Sequence, residues 1–133
     1  MADTLEREIR IAATRETVFR YLVESDAMAQ WMGESAELDA TPGGRFLVRY
    51  PSGDVAMGEF TAVEPHDRVA FTWGWEGNDA VPPSSSTVEI TLTDDGGDTV
   101  LQLRHSGLPT EWLERHAEGW DHFLPQLADL HAA

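Results

Sequence analysis

His105, His116 and His122 are the side chains of this sequence best suited by type to acid–base or metal chemistry, and their spacing limits what they can do. On a helix, His116 and His122 stand six residues and about 600° apart, on different faces. Glu118 and His122 share a face, but two ligands do not make a metal site, so a solvated helix side is predicted. Asp94, Asp95 and Asp98 gather carboxylates without the twelve-residue ligand pattern of a calcium loop. They read instead as a hairpin turn in Asp94-Asp95-Gly96-Gly97-Asp98. There is no Gly-rich phosphate loop, no G-x-S-x-G elbow and no H-E-x-x-H, and no cofactor is expected. Cysteine is absent, which removes disulfides, thiolate metal sites and cysteine nucleophiles together.

His105 stands apart. It follows Leu101 and Leu103 at two-residue steps, so on a strand it shares their inward face. A buried imidazole must find a partner for at least one nitrogen. Two readings stay open at this point. One is a core histidine bonded to backbone or to a helix group such as His116. The other is a polar group that orients a ligand, or a general acid/base. Trp31, Trp73, Trp75 and Trp120, with Phe46, Phe60, Phe71 and Phe123, supply more aromatic area than a plain core of this size needs. They predict an apolar pocket for a small aromatic or acyl molecule. The candidate ligand-binding residues are therefore Trp31, Phe46, Phe60, Phe71, Trp73 and Trp75, together with His105, His116 and Trp120. Arg45, Arg49 and Glu59 also lie on mid-sheet strands, where a solvated outer face is expected for them.

The elements that must position these groups follow from periodicity. Residues 4–11 alternate as a strand with one wet face. Thr14 can cap a helix carrying Val18, Phe19 and Leu22, and Asp26 can cap a shorter one holding Met28, Trp31 and Met32. Strands are then expected over 45–50, 55–63, 69–75 and 87–93, the last before that carrying Val69, Phe71, Trp73 and Trp75 on one face. A final strand holds Leu101, Leu103 and His105. Short strands separated by turn chemistry indicate an antiparallel meander. With Thr110 as a cap, Leu113, His116, Trp120, Phe123, Leu124, Leu127 and Leu130 recur at helical steps. Pro125 falls inside that pattern and predicts a kink or a break, since it removes a donor and crowds the Asp121 carbonyl. Residues 76–86 (EGNDAVPPSSS) show no periodicity. They read as a mobile connection, a flap at the pocket mouth, or a contact between two copies of the chain.

A length of 133 residues and an apolar fraction of 41% fit one domain, residues 1–133, with a real core. Charges in MADTLEREIR occupy the place of a leader's apolar segment, and no apolar run reaches membrane-spanning length, so a cytoplasmic location without membrane insertion is expected. Twenty-four acidic residues oppose nine arginines, a net charge of −15. Nucleic acid and anionic membrane surfaces are poor partners for such a surface. The acidity fits a GC-rich genome or adaptation to high salt.

Read in order, the chain is a strand, two helices, a run of strands and a long helix. That order resembles the START-like (SRPBCC) superfamily, in its branch related to the activator of Hsp90 ATPase. The matching stretches are 14–31 (TRETVFRYLVESDAMAQW), 42–46 (PGGRF), 63–73 (VEPHDRVAFTW), 105–109 (HSGLP) and 116–127 around Gly119-Trp120. The resemblance implies an α+β helix-grip fold: a curved seven-stranded antiparallel sheet around a long C-terminal helix, with two short helices after the first strand. Superfamily members include lipid carriers, hormone receptors and aromatic cyclases, so function stays open. Many aromatic residues and few convergent titratable ones favour a non-catalytic carrier or sensor of an apolar small molecule. The alternatives are an enzyme of the polyketide-cyclase/hydrolase type using His105 as acid/base, and a co-chaperone-like protein-interaction domain. The resemblance implies that in the eukaryotic co-chaperone this domain works beside a second one, and none is expected within these 133 residues.

Overall fold

A computed structural model of the chain describes residues 3–132, so the first two residues of the charged N-terminal stretch lie outside it. The element order is β1 (Asp3–Ile11), α1 (Arg15–Val23), α2 (Ser25–Met28), β2 (Ser35–Leu38), β3 (Arg45–Arg49), β4 (Val55–Glu64), β5 (Arg68–Trp73), β6 (Ser86–Asp95), β7 (Asp98–Leu108) and α3 (Thr110–Asp129). All seven strands form one antiparallel sheet in the order β1-β7-β6-β5-β4-β3-β2. Strands β2 to β7 are a plain meander, whereas β1 returns to pair with β7. Helices α1 and α2 therefore carry the chain from one sheet edge to the other. The sheet bends where β4 meets β5: the register shifts between Phe60 and Ala62. At Gly58, next to that shift, a Cβ would lie 1.8 Å from the Thr72 carbonyl oxygen, so only glycine admits so close a strand.

Local chemistry explains most boundaries. The Thr14 hydroxyl accepts from the Thr17 amide at 3.3 Å and starts α1, whose Val18, Phe19 and Leu22 are buried. Helix α2 is shorter than the sequence pattern indicates. Its cap position is Glu24, with no side-chain cap, and Asp26 sits in its first turn. Trp31 and Met32 lie past its end, both buried. Strand β2 carries no two-residue alternation, because all four of its residues are half-buried. Strand β5 ends at Trp73 instead of running on to Trp75. A Cβ at Gly74 would meet the Pro82 carbonyl oxygen at 1.7 Å, so the returning loop packs on the backbone there and ends the ladder. Trp75 keeps only an isolated bridge to Ala56.

Helix α3 lies against the sheet through His116, Trp120, Leu124 and Leu127, and Arg7 on β1 grips Asp121 with two bonds of 2.6 and 3.2 Å. Its cap residue is Pro109, one position before the expected Thr110. Pro125 does not break the helix, which runs on to Asp129. Both Pro125 and Asp121 are exposed, so the carbonyl that loses its donor can bond water. Leu130 lies beyond the helix and is 43% exposed, outside the buried stripe it was expected to extend.

Segment 76–86 is more ordered than its composition implies. The Asn78 side chain accepts from the Ala80 and Val81 amides at 2.8 and 2.9 Å, and Val81 is buried. Arg45, Arg49 and Glu59 are exposed, as expected, with Glu37 bridging the two arginines.

Candidate functional site

The inward face of β7 places His105 with no exposed surface, opposite Trp120 of α3. The Trp120 Nε1–H donates to His105 Nδ1 at 3.1 Å. An indole nitrogen only donates, so Nδ1 must carry a lone pair. The proton of the neutral ring therefore sits on Nε2 and points at the Ser86 hydroxyl, 2.8 Å away. That hydroxyl in turn donates to the Trp73 carbonyl at 2.8 Å. The result is a one-way chain from α3 through β7 and β6 to β5, with every member satisfied.

His116 has the same logic in the opposite tautomer. Its Nε2 accepts the Trp75 Nε1–H at 3.0 Å, and its Nδ1 faces the Trp112 carbonyl at 2.8 Å. The proton must then be on Nδ1. Burial pushes His105 down to about 3, with a smaller contribution from His116 beside it. Burial also lowers His116, partly opposed by its bond to the Trp112 carbonyl. Both imidazoles are held neutral, edge to face with centroids 5.2 Å apart. The expected partnership of His105 with His116 is thus a ring contact, and the hydrogen bonds go to Trp120 and Ser86.

These rings back a cleft of about 400 Å³ between the first half of α3, the turn after β3 and the loop after β5. Its apolar wall comprises Met32, Tyr50, Trp73, Trp75, Trp120 and Phe123, with Trp112, His116 and Gly119 along the helix. Ser52, Asp54, Asn78 and Arg115 give it a polar rim. Trp73 packs edge to face on Trp75 at 5.3 Å and tilted against Trp120 at 5.5 Å. Its buried Nε1 has no hydrogen-bond partner. Burial pushes the Tyr50 hydroxyl up, so that group stays protonated. A Cβ at Gly119 would meet nothing within 4 Å, so the missing side chain contributes to the opening.

Of the sequence-derived candidates, Trp73, Trp75, His116 and Trp120 line the cleft. Trp31, Phe46, Phe60, Phe71 and His105 do not; they form the core behind it. Phe46 stacks on Phe71 at 3.9 Å, and the Trp31 Nε1–H is committed to the Tyr21 carbonyl at 2.9 Å. Sequence reasoning missed Trp112, Tyr50, Arg115 and Ser86. Trp112 was within reach, since it precedes His116 by four residues on the same helix face. Ser86 closes a run of three serines, and nothing local distinguishes it from the other two. Among the described residues no group of three histidine or acidic side chains is placed to hold a metal.

A curved antiparallel sheet gripping a C-terminal helix, with an aromatic cleft between them, defines a helix-grip domain of the START-like kind. The chain belongs to the family described as activator of Hsp90 ATPase homolog 1-like protein, whose model matches residues 12–132. It is 30% identical over 112 residues to the mouse activator of 90 kDa heat shock protein ATPase homolog 1, covering 81% of this chain and 30% of that protein. The chain thus spans under a third of the length of that relative. Among solved structures, a protein from Mesorhizobium loti aligns with a TM-score of 0.86 at 26% identity, over 96% of both chains. An AHSA1-like protein from Rhizobium etli aligns at 0.76 with 38% identity, over 100% of this chain and 84% of the other.

Proposed function

We propose that this domain is a non-catalytic cytoplasmic carrier or sensor, acting as a single unit, that holds an apolar aromatic or acyl molecule in the cleft beside α3. The observation that carries the reading is an aromatic-walled space of about 400 Å³, within the range of small-molecule sites. The state of the two histidines supports binding over chemistry. Each is neutral, and each has both nitrogens engaged, which leaves neither lone pair for a substrate proton. Native mass spectrometry of freshly purified protein tests the reading directly. A co-purified molecule that is lost in Gly119→Phe is expected; an apo mass together with no quenching of tryptophan fluorescence by apolar probes would sink it.

The kinship with the mouse activator favours a second reading, a protein-interaction domain acting on an Hsp90-type ATPase. Addition of the purified domain to such an ATPase separates the two. Stimulation that survives a filled cleft supports interaction, and its absence leaves the carrier reading.

A further inference from the structure

We infer that the guest of this cleft is a carboxylic acid, an apolar body whose carboxylate pairs with Arg115 at the rim. The inference rests on the cleft being a binding site and adds the charge of what it binds.

Arg115 is anomalous in its pairing. With nine arginines among twenty-four acidic residues, every arginine should find a carboxylate. Among the described residues, each does so within 4.0 Å except Arg104 and Arg115. Arg104 lies on the sheet with Glu6 and Glu89 as its cross-strand neighbours. Arg115 lines the cleft. Glu111 and Glu118 stand four residues before it and three after it, the spacing at which helix side chains meet, yet neither pairs with it. Its guanidinium instead lies over the Trp112 ring, 4.9 Å from the centroid.

That placement has a chemical consequence. A guanidinium over an indole face still has its fork of N–H donors to offer, and such a fork can receive a carboxylate through two parallel bonds. Among the described residues no other cation is available in the cleft, because His116 is neutral and its Nε2 is taken by Trp75. Asp54 sits on the same rim, bonded to the Ser52 hydroxyl at 3.0 Å. It repels an anion from the hairpin side and so favours the helix side, where Arg115 is.

An isosteric pair of probes reads the charge alone: 2-naphthoate and neutral 2-naphthamide, titrated by quenching of intrinsic tryptophan fluorescence at low salt. The native protein should bind naphthoate about tenfold tighter than naphthamide, in line with a charge-assisted pair at a partly wet site. Arg115→Gln should abolish or invert that preference, read as the ratio of the two affinities. Arg115→Lys should keep part of it, and Asp54→Asn should enlarge it. Equal binding of the two probes by the native protein, or a preference that survives in Arg115→Gln, overturns the inference and leaves the cleft reading intact. Failure of both probes to bind overturns the cleft reading, and the inference falls with it.

Discussion

The Trp120 indole and the His105 imidazole meet at 3.1 Å, and this bond ties α3 to β7 at a point with no solvent access. The same imidazole holds Ser86 on its other side, so one residue sets the spacing of helix and sheet at the back of the cleft.

Removing the donor tests the bond separately from the packing. Trp120→Phe keeps most of the ring but leaves His105 Nδ1 without a partner, and should cost about 1–3 kcal/mol. Trp120→Ala also opens a cavity and should cost about 3–5 kcal/mol. Urea unfolding measures both. Equal losses for the two variants would mean that the hydrogen bond, not the ring, carries the contact.

Acid should weaken the fold through the histidines. Folded His105 accepts a proton only near pH 3, whereas the unfolded imidazole takes one below its ordinary value of 6.5. Between those values the unfolded state binds more protons, so stability falls as pH falls, by about 1.4 kcal/mol per pH unit for one fully differing proton. His116 and His131, lowered by burial, act in the same direction. Unfolding between about pH 7 and about pH 5 should show this loss, and His105→Gln should reduce its slope. A slope identical in that variant would remove His105 as its source.

Gly119 separates stability from binding. Gly119→Ala places a methyl in open space on an otherwise regular helix and should stabilise by about 1 kcal/mol. Gly119→Phe should fold normally but lose binding of apolar probes, as judged by melting and fluorescence titration together. Binding retained in the phenylalanine variant would place the probe elsewhere.

Salt should raise the melting temperature. With a net charge of −15, the compact state suffers more repulsion than the expanded chain, and screening lengths shrink from about 30 Å at 0.01 M to about 3 Å at 1 M. The gain should come early in the series and then level off, whereas a salt-adapted protein would keep gaining past 1 M. A flat response from the lowest salt upward would show that local pairs such as Arg49–Glu37 already neutralise the field.

Most elements were legible because their signals are local. The alternation of Leu101, Leu103 and His105 defines which way β7 faces, and the Thr14 cap and the steps of α3 follow from neighbours a few residues apart. Strand β2 left no such mark, since half-burial of all four residues erases alternation. The end of β5 at Trp73 was also hidden, because the Pro82 carbonyl that crowds Gly74 arrives from another part of the chain. The candidate site divides in the same way. Residue type and spacing alone determined that His105 faces inward; that the tryptophans of β5 and α3 converge followed only from the fold that the family resemblance implied. Which aromatics line the cleft and which fill the core behind it was decided by the tertiary structure. Phe46, Phe60, Phe71 and Trp31 have the same chemistry as the lining residues and differ only in depth. The histidine tautomers were likewise beyond the sequence, because each follows from an indole donor delivered by a separate element: Trp120 to His105, and Trp75 to His116.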